Sequence, residues 1–277
     1  MKSHRIPRLA RKVAVVCLAL CAVLLALLTF AARAAARVEP SRAHVIDARD
    51  RTPKLEAARA KYPTQPLVLR EDDHAILAFP PRASISPASA ASNKPLTVVY
   101  LHGIHGLPEN GCPWLRAGAS ELGWLVCPAA NERLSNDTFS WSGSVSDQRA
   151  VVARAERAAQ AQGADPASPG VIVAFSQGAY VALDLVRAHL GSYRGLVLIG
   201  AEVEPSADVL TAAGVDRIVL AAGDLDGAAA PMRRAAQRLR DSGKSARFVS
   251  LGRIGHSYET TDREALRDAI AWAGGST

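Results

Sequence analysis

Apolar and polar positions along the chain fall into two kinds of stretch that take turns. Short, nearly unbroken runs of Val, Leu, Ile and Ala occupy residues 96–101, 123–127, 170–175, 195–199, 217–222 and 246–251. Runs of this length without strict alternation predict strands buried on both faces. Two further strand candidates, 66–70 and 74–79, precede a Ser-, Ala- and Pro-rich surface loop at 80–95. Between the core runs, apolar residues recur at helical spacing over 114–122, 145–162, 177–190, 231–242 and 261–273. Strand and helix in alternation predict an α/β domain over 66–277 with a doubly wound, mostly parallel sheet.

The N-terminus breaks this pattern. Residues 13–32 are twenty in a row without a charge, dominated by Leu, Val and Ala. At about 1.5 Å per residue such a helix spans a hydrocarbon core roughly 30 Å thick. Basic residues within 1–12 hold that end in the cytoplasm and send the remainder across the membrane. Two readings stay open: an uncleaved signal anchor, which the length favours, or a signal peptide cut after Ala34-Ala35-Ala36. The α/β domain is therefore expected on the extracytoplasmic, periplasmic side, membrane-anchored or secreted, with 33–65 as a juxtamembrane spacer.

Charge adds little once it is located. The formal charge is +7, but Lys2, Arg5, Arg8, Arg11, Lys12, Arg33 and Arg37 precede every acid, leaving 26 basic and 26 acidic residues in the remainder. A formally neutral domain gives no argument for nucleic-acid binding. Of four cysteines, only Cys112 and Cys127 lie in the exported part. An oxidising compartment favours a disulfide between them over two buried free thiols.

Candidate chemistry centres on Ala174-Phe175-Ser176-Gln177-Gly178, between a strand run and a helix run. It matches the G-x-S-x-G nucleophile elbow except for Ala174 in place of the first glycine. Ligands of such sheets bind at the C-terminal ends of strands, so partners for Ser176 are sought just after each run. His256, after the last strand, is the candidate base. The acid is Asp224 or Asp226, both in the turn after 217–222; we take Asp226, with Asp224 as a turn former. Backbone N–H groups of Gln177 and of Ile104, in Leu101-His102-Gly103-Ile104, are the candidate oxyanion donors.

These segments together resemble the α/β-hydrolase superfamily, and Phe-Ser-Gln-Gly is similar to the elbow of its carboxylesterase and acyl-thioesterase branch. The resemblance implies an eight-stranded sheet, a Ser-His-Asp triad, a small-molecule ester or thioester substrate and no cofactor. Within that fold His105, Trp114, Trp141, Tyr180 and Tyr258 are candidate pocket residues, although aromatics are more often core. Residues 136–144 read either as a small cap over the site or as a plain surface loop. His102 and His105 lack a third ligand at metal-binding spacing, so no metal site is expected. The rival reading is a non-catalytic hydrolase-fold scaffold of the cell envelope.

Overall fold

The computed structural model describes residues 44–47, 65–72, 74–82, 95–260 and 263–276. The basic segment 1–12 and the apolar segment 13–32 lie outside them. Among the described residues no helix is long and apolar enough to cross a membrane.

The chain runs β1 (His44–Asp47), β2 (Leu67–Glu71), β3 (His74–Phe79), β4 (Leu96–Leu101), α1 (Pro108–Leu122) and β5 (Gly123–Pro128). A hairpin of β6 (Glu132–Arg133) and β7 (Phe139–Ser140) follows, then α2 (Val145–Ala161), β8 (Gly170–Phe175) and α3 (Gln177–Arg187). The last third is β9 (Tyr193–Ile199), α4 (Ala207–Ala212), β10 (Arg217–Ala222), α5 (Ala229–Asp241), β11 (Ser245–Ser250) and α6 (Arg263–Ala273). All eight strands read from the sequence stand in one sheet of order β1-β2-β3-β5-β4-β8-β9-β10-β11. Only β3 runs antiparallel to its neighbours.

The ninth strand corrects the sequence reading. His44–Asp47, assigned to a spacer, pairs in parallel with β2, His44 opposite Leu67. Four residues with one central Val-Ile pair are too short a pattern to be distinguished from a linker.

The unbroken apolar runs are explained by two cores, one on each face. Val99 and Leu101 of β4, Ile172 and Ala174 of β8, and Leu196 and Leu198 of β9 pack with α2, α3 and α5. Their neighbours Val98, Tyr100, Val171, Val173, Val197 and Ile199 pack with α1 and α6. A strand covered on both faces has no polar side to show, so period-2 alternation vanishes.

Cys112 of α1 and Cys127 of β5 form a disulfide across the second of these cores. It ties the helix that follows the β4 loop to the next strand. Cross-linking residues 15 apart in sequence restricts the unfolded chain by about 3 kcal/mol. The Cys112→Ala, Cys127→Ala double variant is expected to lose about that much in urea unfolding; an unchanged midpoint would contradict a stabilising bridge.

Candidate active site

Ser176 is built into a turn that few residues tolerate. It sits between β8 and α3 at φ +52° and ψ −117°, a region sparsely populated by residues with a Cβ. Its N–H donates to Ile199 O at 2.8 Å, anchoring the turn to the adjacent strand. Ala174 is fully buried in β8 between Leu101 and Leu198, where a methyl group fits. Gly178 has no such room: a Cβ there would run into the carbonyl oxygen of Leu101. The two glycine positions of the elbow thus differ, and only the second requires glycine.

The structure brings three of the named side chains together. His256, on the loop after β11, has its Nε2 3.0 Å from Ser176 Oγ and its Nδ1 2.9 Å from Asp226 Oδ2. A carboxylate can only accept, so Nδ1 carries the proton and Nε2 is left to accept from the serine hydroxyl. Asp226 is held in turn by the Ala228 N–H, which donates to its Oδ1 at 2.9 Å, and its side chain is only 6% exposed. Asp224 faces elsewhere: its Oδ1 accepts from Ser250 Oγ at 2.6 Å. Of the two aspartates left open by the sequence, the structure pairs Asp226 with His256.

The loop after β4 closes the other side. A Cβ on Gly103 would stand 3.1 Å from the Cβ of Ser176, so the backbone leading to Ile104 passes close to the nucleophile. Gln177 opens α3, where helix geometry leaves its N–H without an intrahelical acceptor. Both backbone groups border Ser176, one in the loop after β4 and one at the start of α3. His102, read as part of a glycine loop without a metal-ligand set, is a buried strut. Its Nε2 accepts from the Ala130 N–H at 3.0 Å, so Nδ1 carries the proton and donates to Gly103 O at 2.7 Å.

Burial holds His102 below its ordinary pKa near 6.5, its hydrogen bond to Gly103 opposing this more weakly. The folded protein therefore resists protonation that the unfolded chain accepts. Stability from this residue is complete above about pH 6.5 and is lost as pH falls below it. We expect the melting temperature to drop on acidification, and part of that drop to be absent from His102→Asn. Identical pH dependence in the two proteins would contradict it.

The segment expected as cap or loop, 136–144, holds β7 of the β6–β7 hairpin and the residues after it, and it braces the site. Phe139 N–H donates to Gly106 O at 3.1 Å, and the Gln177 carboxamide bonds both main-chain groups of Trp141, accepting from N at 3.1 Å and donating to O at 2.9 Å. Trp141 is corrected from pocket to core: it is 4% exposed and its indole donates to His102 O at 2.9 Å. Two other aromatics are partly buried against neighbouring side chains. Trp114 lies under the Arg263 guanidinium at the start of α6, 4.4 Å away, and Tyr258 packs half-buried against Phe175 and Tyr100. His105 and Tyr180 stay exposed.

Sequence reasoning named Tyr180 and the Ile104 backbone but not Leu225. Among the described residues, the exposed large hydrophobic side chains are Ile104, Tyr180 and Leu225, at 55%, 47% and 64%. Ile104 and Leu225 are on the loops after β4 and β10, and Tyr180 is in the first turn of α3 after β8, at the strand ends near Ser176. A cavity of about 450 Å³ lies beyond the hairpin, between Ile76, Phe139, Val151 and Arg154, and contains none of Ser176, Asp226 or His256.

No protein-family model matches the sequence, and no curated protein matches it. Solved structures do resemble it in three dimensions. An uncharacterized protein from Bacillus cereus ATCC 10987 aligns at TM-score 0.54 and 19% identity over 65% of this chain, which spans 60% of that protein's length. S-formylglutathione hydrolase (FrmB) from Staphylococcus aureus aligns at TM-score 0.53 and 14% identity, covering 73% of this chain and 93% of that one. The Bacillus cereus carboxylesterase aligns at TM-score 0.51 and 16% identity, covering 80% and 98%. The chain has the α/β-hydrolase fold.

Proposed function

We propose that the chain is a serine hydrolase of carboxylic esters, thioesters being the alternative, acting outside the cytoplasmic membrane. The observation that carries this reading is the unbroken hydrogen-bonded series from Ser176 Oγ through His256 to the buried Asp226 carboxylate. A neutral imidazole with Nε2 free to accept is what a serine needs from its base.

In the proposed reaction Ser176 Oγ attacks the carbonyl carbon as its proton passes to His256 Nε2. The carbonyl electron pair moves to oxygen, where the N–H groups of Gln177 and Ile104 stabilise it. Collapse expels the alcohol, which takes the proton from His256, and leaves an acyl-Ser176 ester. Water, deprotonated by the same imidazole, attacks the acyl carbon, and collapse releases the acid and breaks the bond to Ser176 Oγ, which takes its proton back from His256. The exposed Ile104, Tyr180 and Leu225 favour a substrate apolar around the scissile bond. Carboxylesterase and S-formylglutathione hydrolase among the structural neighbours are consistent with ester and thioester chemistry. Export is supported by the apolar segment 13–32 behind its basic flank and by a disulfide, which persists in oxidising compartments.

One experiment addresses both parts. Spheroplasts expressing the full chain are treated with a membrane-impermeant fluorophosphonate. Labelling of wild type before lysis, absent in Ser176→Ala, is expected. Labelling only after lysis would overturn the extracytoplasmic location, and no labelling of folded wild type would favour a binding scaffold.

A further inference from the structure

We propose that Phe175 is a positioning residue that sets the orientation of the His256 ring and stabilises its protonated form during turnover. This goes beyond the triad but rests on the hydrolase reading above. The Phe175 ring centroid lies 4.9 Å from that of His256, with the planes 36° apart. Tyr258 meets the same phenyl ring at 4.8 Å and 90°, and Tyr258 is itself edge-on to the buried Tyr100 at 6.2 Å. Two glycines make room for the ring. A Cβ at Gly103 would stand 3.1 Å from Phe175 Cδ1, and one at Gly200, where φ is +60°, would stand 3.1 Å from Cε2. That same Gly200 position is 3.1 Å from Asp226 Oδ2 and 3.3 Å from His256 Cε1. One side chain therefore touches the loop carrying Ile104, the turn after β9, and the base.

The imidazole needs such a contact. His256 is half exposed, and its two hydrogen bonds, at Nδ1 and Nε2, bend readily enough to leave the ring some freedom to tilt about the Cβ–Cγ bond. Contact between ring faces removes that freedom. Aromatic faces also carry negative charge density that attracts a neighbouring cation. His256 becomes cationic only as the Ser176 proton reaches Nε2, so this attraction strengthens towards the transition state. An interaction stronger there than in the ground state raises kcat and leaves KM alone.

The test compares Phe175→Leu and Phe175→Met, which keep bulk without a π face, with Phe175→Tyr, which keeps the face. Turnover of a soluble p-nitrophenyl ester is measured well below each melting temperature. Leu and Met variants are expected to lose about two- to tenfold in kcat with KM nearly unchanged, and Tyr to restore kcat. Unchanged kcat in both aliphatic variants, a loss confined to KM, or a Tyr variant as impaired as Leu would overturn the role. Wild type that neither turns over esters nor accepts a fluorophosphonate would overturn the hydrolase reading itself, and with it this role.

Discussion

Ser176→Ala is expected to lower ester turnover by about 10⁶ and to abolish fluorophosphonate labelling, while the protein stays folded. The substitution removes one oxygen and leaves the Cβ that the turn already accommodates, so nothing else in the site has cause to move. A second variant separates chemistry from strain. Ser176 is held at φ +52°, which costs a residue with a Cβ on the order of 1 to 3 kcal/mol. Ser176→Gly relieves that strain, less the extra chain entropy of glycine, and should stabilise the fold by about 1 kcal/mol relative to Ser176→Ala. Both variants are expected to be inactive. Thermal melts and ester assays on the three proteins check the pair of claims. Substantial turnover in Ser176→Ala would remove the serine from the mechanism, and a less stable Ser176→Gly would show that the turn is not strained.

That strain is also why the elbow was legible. A serine between a buried strand and a helix, followed by glycine two residues on, has few reasons to exist except presentation of its side chain. His256 and the Gly223-to-Asp226 turn were found by the same logic, since the topology sends the C-terminal ends of the parallel strands to one edge. Local pattern could not reveal groups whose role is set by a distant partner. Trp141 sits in a polar run and reads as a pocket candidate, yet the carbonyl oxygen of His102, 39 residues earlier, accepts its indole N–H. Phe175 is the variable letter of the elbow, and only the fold shows that Gly103 and Gly200 leave space for its ring. Helix α1 begins at Pro108 rather than near Trp114, although Pro113, a breaker by propensity, lies inside it. Burial of Cys112, Leu115 and Ala119 along one face outweighs that local cost. The two-residue strands of the hairpin carry no period at all.

Asp226→Asn is expected to lower kcat by about 10⁴, and Asp224→Asn by less than about threefold, with KM similar in all three proteins. The two aspartates share a turn, so the contrast isolates hydrogen-bonding direction from loop stability. With a carboxylate at 226, His256 must place its proton on Nδ1 and offer Nε2 to Ser176. A carboxamide can present its NH₂ group to Nδ1, and the imidazole then carries its proton on Nε2, facing the serine with a donor where an acceptor is required. The carboxylate also lowers the energy of the imidazolium formed when serine gives up its proton, which a neutral amide does not. Burial sharpens both effects, because almost no water reaches the Asp226 side chain to substitute for the lost charge. Asp224 bonds Ser250 Oγ at the end of β11, so its replacement weakens a turn contact and leaves the His256 tautomer untouched. Steady-state kinetics on the two variants decide between them. An active Asp226→Asn beside an inactive Asp224→Asn would mean that the turn rearranges when substrate binds and that the acid is exchanged.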